Sequence, residues 1–109
     1  MIHDLWTEIQ RRLDLLDVAL REIGKRGAEY AEAEAEYRAA LSSKILELRA
    51  DGMPVTITPD VARGTQHIAK LKLDRDCKEA LYKAALESVN VYKLQIKVLE
   101  TQLDREYRG

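Results

Sequence analysis

The chain has no phenylalanine, one tryptophan, one cysteine, two prolines and two histidines among its 109 residues. The lone Cys77 excludes an internal disulfide, which fits a reducing compartment. His3 and His67 do not stand at metal-ligand spacing with Cys77. No glycine-rich phosphate loop, CxxC pair or HExxH sequence is present. No apolar run approaches the roughly 20 residues that span a bilayer. The start Met1-Ile2-His3-Asp4 lacks the basic residues and apolar stretch of a signal peptide. The expectation is a soluble cytoplasmic protein, without cofactor or metal and without membrane attachment. A formal net charge of −1 supplies no long-range field to attract nucleic acid.

What is abundant is helix-forming material. The sequence is 46% hydrophobic and 34% charged, rich in Ala, Leu, Glu, Lys and Arg, the profile of long helices. From Asp4 to Asp51, apolar or small residues recur at Ile9, Leu13, Leu16, Leu20, Ile23, Gly27, Tyr30, Tyr37, Leu41 and Leu48, with Glu34 the exception. Steps of three and four align them as one seam. Gly24 and Gly27 mark either a close helix approach or a break, and each costs about 1 kcal/mol relative to Ala. A second stripe runs through Leu71, Arg75, Lys78, Tyr82, Ala85, Val89, Tyr92, Ile96, Leu99 and Leu103.

Laid antiparallel, the stripes match Ile9 with Leu103, Gly27 with Ala85, Tyr30 with Tyr82, Glu34 with Lys78 and Tyr37 with Arg75. The spacing stays constant because both helices rise about 1.5 Å per residue. The expected fold is all-α: a single domain built as a long antiparallel, coiled-coil-like helical hairpin. Its helices span about 4–51 and 65–107, around a loop with a short helical turn at 52–64. A break at Gly24–Gly27 gives instead a three-helix bundle. Leu15, Val18, Leu46, Leu73, Val91 and Val98 fall off the seam, so a homodimer closing a four-helix bundle is the other way to cover them.

The connection is the most unusual stretch. Gly52 suits the left-handed end of a helix and Pro54 prevents its resumption. Val55, Thr56 and Ile57 are β-branched and favour extended backbone. Thr58-Pro59 reads as an N-cap and first helical residue, Gly64 as a stop, and Thr65 as the cap of the second helix. A helical hairpin needs only two to eight linking residues, so this longer apolar link has a packing or binding role of its own.

Candidate chemistry is sparse. Cys77 and His67 stand ten residues apart on one helix, about 15 Å, too far for a nucleophile pair, and Cys77 reads as a small packed hydrophobe. Glu29, Glu32 and Glu36 read as a solvated acidic face, and Ser42-Ser43-Lys44 resembles a Ser–Lys dyad in composition alone. The series Arg63, Lys70, Lys72, Arg75, Lys78 and Lys83, with His67, is interrupted by Asp74, Asp76 and Glu79. It is either an internally paired face or a weak contact for nucleic-acid backbone. The tyrosines at 30, 37, 82 and 92 lie in the seams and read as core before base-stacking platforms.

The segments Glu47-Leu48-Arg49-Ala50-Asp51-Gly52-Met53-Pro54-Val55-Thr56, Pro59-Asp60, Ala62-Arg63-Gly64 and Glu79-Ala80-Leu81-Tyr82-Lys83-Ala84-Ala85-Leu86-Glu87, with Tyr92-Lys93-Leu94-Gln95-Ile96, resemble a group of small helical proteins. These are encoded in the early regions of phages and prophages of Gram-positive bacteria. The resemblance covers roughly residues 30–105 and brings no catalytic residues. It implies a non-enzymatic binding protein that inhibits or modulates a nucleic-acid-processing machine, most concretely an anti-CRISPR inhibitor of a Cas nuclease. The alternatives are a recombination or replication accessory that binds single-stranded DNA or its coating protein, and a purely structural oligomer. The expected contact for a protein partner, a nuclease or a recombination or replication protein, is Met53, Pro54, Val55, Thr56, Ile57, Arg63, His67, Lys70 and Lys72.

Overall fold

Side chains that lose little freedom in a helix fill most positions, and the computed structural model, which describes residues 2–109, is helical except at 51–57, Thr65 and Gly109. Helix α1 spans Ile2–Ala50, α2 spans Thr58–Gly64 and α3 spans Gln66–Arg108. No strand occurs among the described residues. The all-α hairpin expectation holds, and α1 passes Gly24 and Gly27 without a break. Two compact units are formed, one from Met1–Lys25 with Tyr82–Gly109 and the other from Arg26–Leu81.

In the first unit the inner side of α1 is Leu5, Ile9, Arg12, Leu16, Ala19 and Ile23, with Ile9 and Ala19 buried. On α3 it is Tyr82, Ala85, Val89, Tyr92, Ile96, Leu99 and Leu103, with Val89 and Ile96 buried. Both rows alternate steps of three and four, the seven-residue repeat of a coiled-coil seam. The α3 row is the predicted one. The α1 row is predicted in every second member, Ile9, Leu16 and Ile23 standing inside, but Leu13 and Leu20 are 41% and 51% exposed and Arg12 and Ala19 lie inside in their place. Trp6 shares a hollow with Leu103 and Tyr107, and Arg12 shares another with Gln95 and Leu99, so the helices run antiparallel here.

The second unit continues the same repeat in α1 with Arg26, Tyr30, Ala33, Tyr37, Ala40 and Lys44, of which Ala33 and Tyr37 are buried. Here the one-residue rotation has a visible cause. A seam through Glu34 would bury a carboxylate at its centre, which is costly unless the charge is paired. Turning the helix moves Glu34 to the flank, where Arg75 and Arg38 reach it, and puts Ala33 in the middle. Opposite stand Ile68, Leu71, Arg75 and Lys78 of α3, with Ile68 only 2% exposed.

Gly24 has nothing within 4 Å of where a Cβ would stand. No close approach within the chain requires a glycine there, so Gly24→Ala should stabilise the fold by about 1 kcal/mol through backbone entropy alone. A thermal midpoint that stays level or falls would show that the site is constrained in a way the helix geometry does not reveal.

Candidate functional site

The connection between α1 and α2 is held by its own backbone. After Ala50 the chain turns at Gly52, with φ of 93°. The Gly52 amide donates to the Arg49 carbonyl at 3.0 Å and the Met53 amide to the Leu48 carbonyl at 3.1 Å. This is the paired closure of a Schellman motif, in which a glycine takes the left-handed position. Arg49 reinforces it, its Nη1 donating to the Met53 carbonyl at 2.7 Å. The Pro54 carbonyl then accepts three donors: the Ile57 amide at 3.3 Å, the Thr58 amide at 3.2 Å and the Thr58 hydroxyl at 2.7 Å.

Residues 55–57 therefore form turns, not the extended backbone that their β-branching suggests. Ile57 sits at the N-cap of α2 with helical φ and ψ and no side-chain cap. Thr58 is already inside the helix, which begins one residue earlier than expected, and its hydroxyl braces the preceding turn. Thr65 does stand immediately before α3, with extended φ and ψ. Its hydroxyl donates back to the Ala62 carbonyl at 2.7 Å, and its own carbonyl accepts the first helical bond from Ala69 at 2.9 Å.

Packing completes the brace. Ala62, Thr58 and Ile68, at 0%, 1% and 2% exposure, are the most enclosed side chains described, and all belong to the end of the second unit where the connection lies. The faces turned outward are apolar: Val55, Ile57 and Val61 are 64%, 49% and 40% exposed. Ile57 and Val61 are joined by the amide of Val61 donating to the carbonyl of Ile57, one helical turn apart. Pro54 and Thr56 are exposed beside them, while Met53 is half-buried.

The basic members of the expected site differ in kind. Arg63 is paired with Asp60 at 3.6 Å and Lys72 with Asp76 at 2.8 Å. Next to them on α3, Arg75 binds Glu34 and Asp76, and Lys78 binds Asp74. Lys78 thus pairs along its own helix, not with Glu34 as the expected register has it. Lys70 and His67 are exposed. His67 borders a shallow hollow with Ser43, Lys44 and Thr65, where Lys44 is paired with Glu47 at 3.4 Å. Cys77 is exposed rather than packed, because position 77 lies off the inner row formed by Arg75 and Lys78. Among the described residues no three His, Cys, Asp or Glu side chains assemble as a metal-ligand set, and no helix is long and apolar enough to cross a membrane.

Inside the second unit the charged side chains join into a cluster that spacing only partly predicts. Arg75 lies 4.7 Å from the centre of the Tyr37 ring, so the residues matched across the two stripes meet as a cation–π pair. Its Nη1 donates to Glu34 Oε2 at 3.0 Å and its Nε to Asp76 Oδ1 at 2.9 Å. Tyr30 donates its hydroxyl to Glu79 Oε2 at 2.6 Å. Hydrogen bonds from Arg38 and then Arg75 hold the Glu34 carboxyl below its ordinary pKa. Lys72 does the same for Asp76. The bond to Glu79 raises the Tyr30 phenol. The tyrosines are occupied in this way: Tyr37 is buried and Tyr30 half-buried, so neither offers a flat face to a base.

No known family matches the chain, and comparison with curated proteins and with solved structures returned no similar one. The resemblance to phage early proteins therefore rests on the segments quoted above.

The cluster sets opposite pH dependences. Glu34 and Asp76 titrate lower in the folded chain, so their contribution is complete above the ordinary carboxylate range and is lost as pH falls through their folded values. Tyr30 titrates higher, so its contribution is complete below the usual phenol value of about 10 and is lost as pH rises through the folded one. Thermal midpoints followed against pH should flatten on the acid side in Glu34→Gln and on the alkaline side in Tyr30→Phe. Slopes identical to those of the wild type would remove these groups from the stability of the unit.

Proposed function

We propose that the chain acts by stoichiometric binding of a protein, through the braced tip made by Val55, Ile57 and Val61 with Pro54 and Thr56. The observation that carries this reading is a contrast over eight residues. Thr58 and Ala62 are enclosed almost completely, while the three large aliphatic side chains around them project into solvent. A fixed backbone that presents apolar side chains loses little entropy on docking, and clustered exposed apolar residues are characteristic of contact surfaces.

The charge pattern favours a protein over a nucleic acid. Binding to phosphate backbone requires cations free to replace counterions, yet Arg63, Lys72, Arg75 and Lys78 each have a carboxylate on hand. Lys70 and His67 remain as rim contacts. The quoted resemblance gives the partner its most concrete identity, a nucleic-acid-processing protein such as a Cas nuclease, with the chain as its inhibitor. The single-stranded-DNA accessory is the second reading.

Affinity capture from the bacterial host, followed by titration of the captured protein, tests both. Val55→Asp combined with Ile57→Asp should weaken binding at least tenfold, since each fully buried aliphatic side chain contributes roughly 1.5–3 kcal/mol, and should leave helicity unchanged. Undiminished affinity in this variant would remove the tip from the interface. A single-strand DNA shift that weakens with salt and disappears on replacing Lys70 would instead establish the second reading.

A further inference from the structure

The two units are threaded differently. The second is one unbroken stretch, Arg26–Leu81, which holds both of its long helical segments and the connection between them. The first is assembled from two separate stretches, Met1–Lys25 and Tyr82–Gly109, which the chain joins only through the second. Pairing the helical segments of the second unit closes a loop no longer than the connection and α2. Pairing those of the first around an unfolded second unit would close the whole of 26–81, and the entropy lost on closure grows with loop length. The second unit can therefore stand while the first is open, whereas the reverse arrangement is penalised.

The contacts run in the same order. The second unit holds Ala62, Thr58 and Ile68 at 0%, 1% and 2% exposure, and polar side chains tie its two helical segments together. Arg75 donates to Glu34 at 3.0 Å and stacks on Tyr37, and Tyr30 donates to Glu79 at 2.6 Å. In the first unit the buried side chains among the described residues are Ile9, Ala19, Val89 and Ile96, at 3%, 7%, 6% and 8% exposure. Its buried Arg12 Nε and Gln95 Oε1 have no hydrogen-bond partner among the described residues, and such atoms cost stability.

From this we infer that the first unit opens as one piece while the second stays folded with the tip intact, and that the second opens only when the whole chain unfolds. A helix in water owes most of its stability to the packing of its apolar face rather than to propensity. Once the seam that buries Ile9, Ala19, Val89 and Ile96 parts, neither segment of the first unit keeps that support, so the two melt together. Contiguous packed units of this kind open cooperatively below the free energy of global unfolding. The tip lies wholly within the second unit and keeps its braced backbone in the open form. The inference rests on threading and packing and is independent of the partner proposed for the tip.

Native-state amide hydrogen exchange of the full chain, at rising urea below the unfolding transition, is the test. Amides of 9–23 and 85–99 should merge onto one opening curve, roughly tenfold or more less protected than those of 33–41 and 68–78. Ile68→Ala should speed exchange at 33–41 and 68–78 by roughly tenfold or more. It should leave 9–23 and 85–99 within about twofold, because the second unit is folded both before and after the first opens. Ile96→Ala should speed both units by the same factor, since the closed seam is lost in either event. Should Ile68→Ala fail to fold, Ile68→Val gives the same pattern with a smaller factor. Acceleration of both units alike by the change at Ile68 overturns the inference, because the chain would then open only as a whole. Protection that falls off residue by residue along 9–23 and 85–99 overturns opening as one piece. Ile96→Ala acting on the first unit alone overturns the order, since the second would then open without it.

Discussion

Two helices laid side by side can cover only one face each, and this limit governs most of what the chain does with its side chains. A seam of two residues per heptad leaves five outward. The inner row must therefore fit closely, and small residues help it to: Ala19 on α1 and Ala85 on α3 occupy inner positions while Leu20 and Leu86 beside them face outward, and Ala33 fills an inner position beside Glu34. Large and small side chains alternate along the centre, and the remaining bulk stands on the flanks. The exposed leucines and valines follow from that choice, not from any shortage of apolar residues.

The same limit explains the polar content of the second unit. A narrow seam keeps its flanking charges half-wet, so Glu34, Arg75 and Glu79 can be used without the full cost of burial. Arg75 covers the Tyr37 ring with its guanidinium plane while two carboxylates take its N–H groups. An arginine is suited to this because its planar fork stacks and donates at the same time. In the first unit the compromise is less complete. Arg12 pairs with Glu8 at 3.1 Å, yet its buried Nε and the buried Oε1 of Gln95 have no hydrogen-bond partner among the described residues.

Periodicity made the helices legible, and it placed the whole α3 row correctly because every residue of that row, charged or not, stands at a clean step of three or four. On α1 it placed Ile9, Leu16, Ile23, Tyr30 and Tyr37 and missed the members between them, because two parallel readings compete there. Leu13 and Leu20 look like core by hydrophobicity, whereas Ala19 and Ala33 are core by size, and size cannot be weighed without knowing how near the opposite helix comes. At the connection, Gly52 and Pro54 announced the turn, and the excess length announced a structural role. The three donors on the Pro54 carbonyl were beyond reach, since the β-branched run favours an extended chain until tertiary enclosure of Thr58 and Ala62 overrides it. Cys77 was misread because a small sulfur side chain is usually buried and its position against the seam decides otherwise. The outward turn of Val55 and Ile57 was legible only as a suspicion attached to an apolar loop.

The saturated Pro54 carbonyl has a consequence for how this protein can change over time. A residue inserted or lost between Pro54 and Thr58 would break three hydrogen bonds and pull Thr58 out of its enclosure, so the length of the tip is fixed. The side chains of Val55, Ile57 and Val61 take no part in that bracing and can be exchanged one at a time at little cost to the fold. The tip thus separates what must stay constant from what is free to vary. Such a surface can change the side chains it presents by substitution alone.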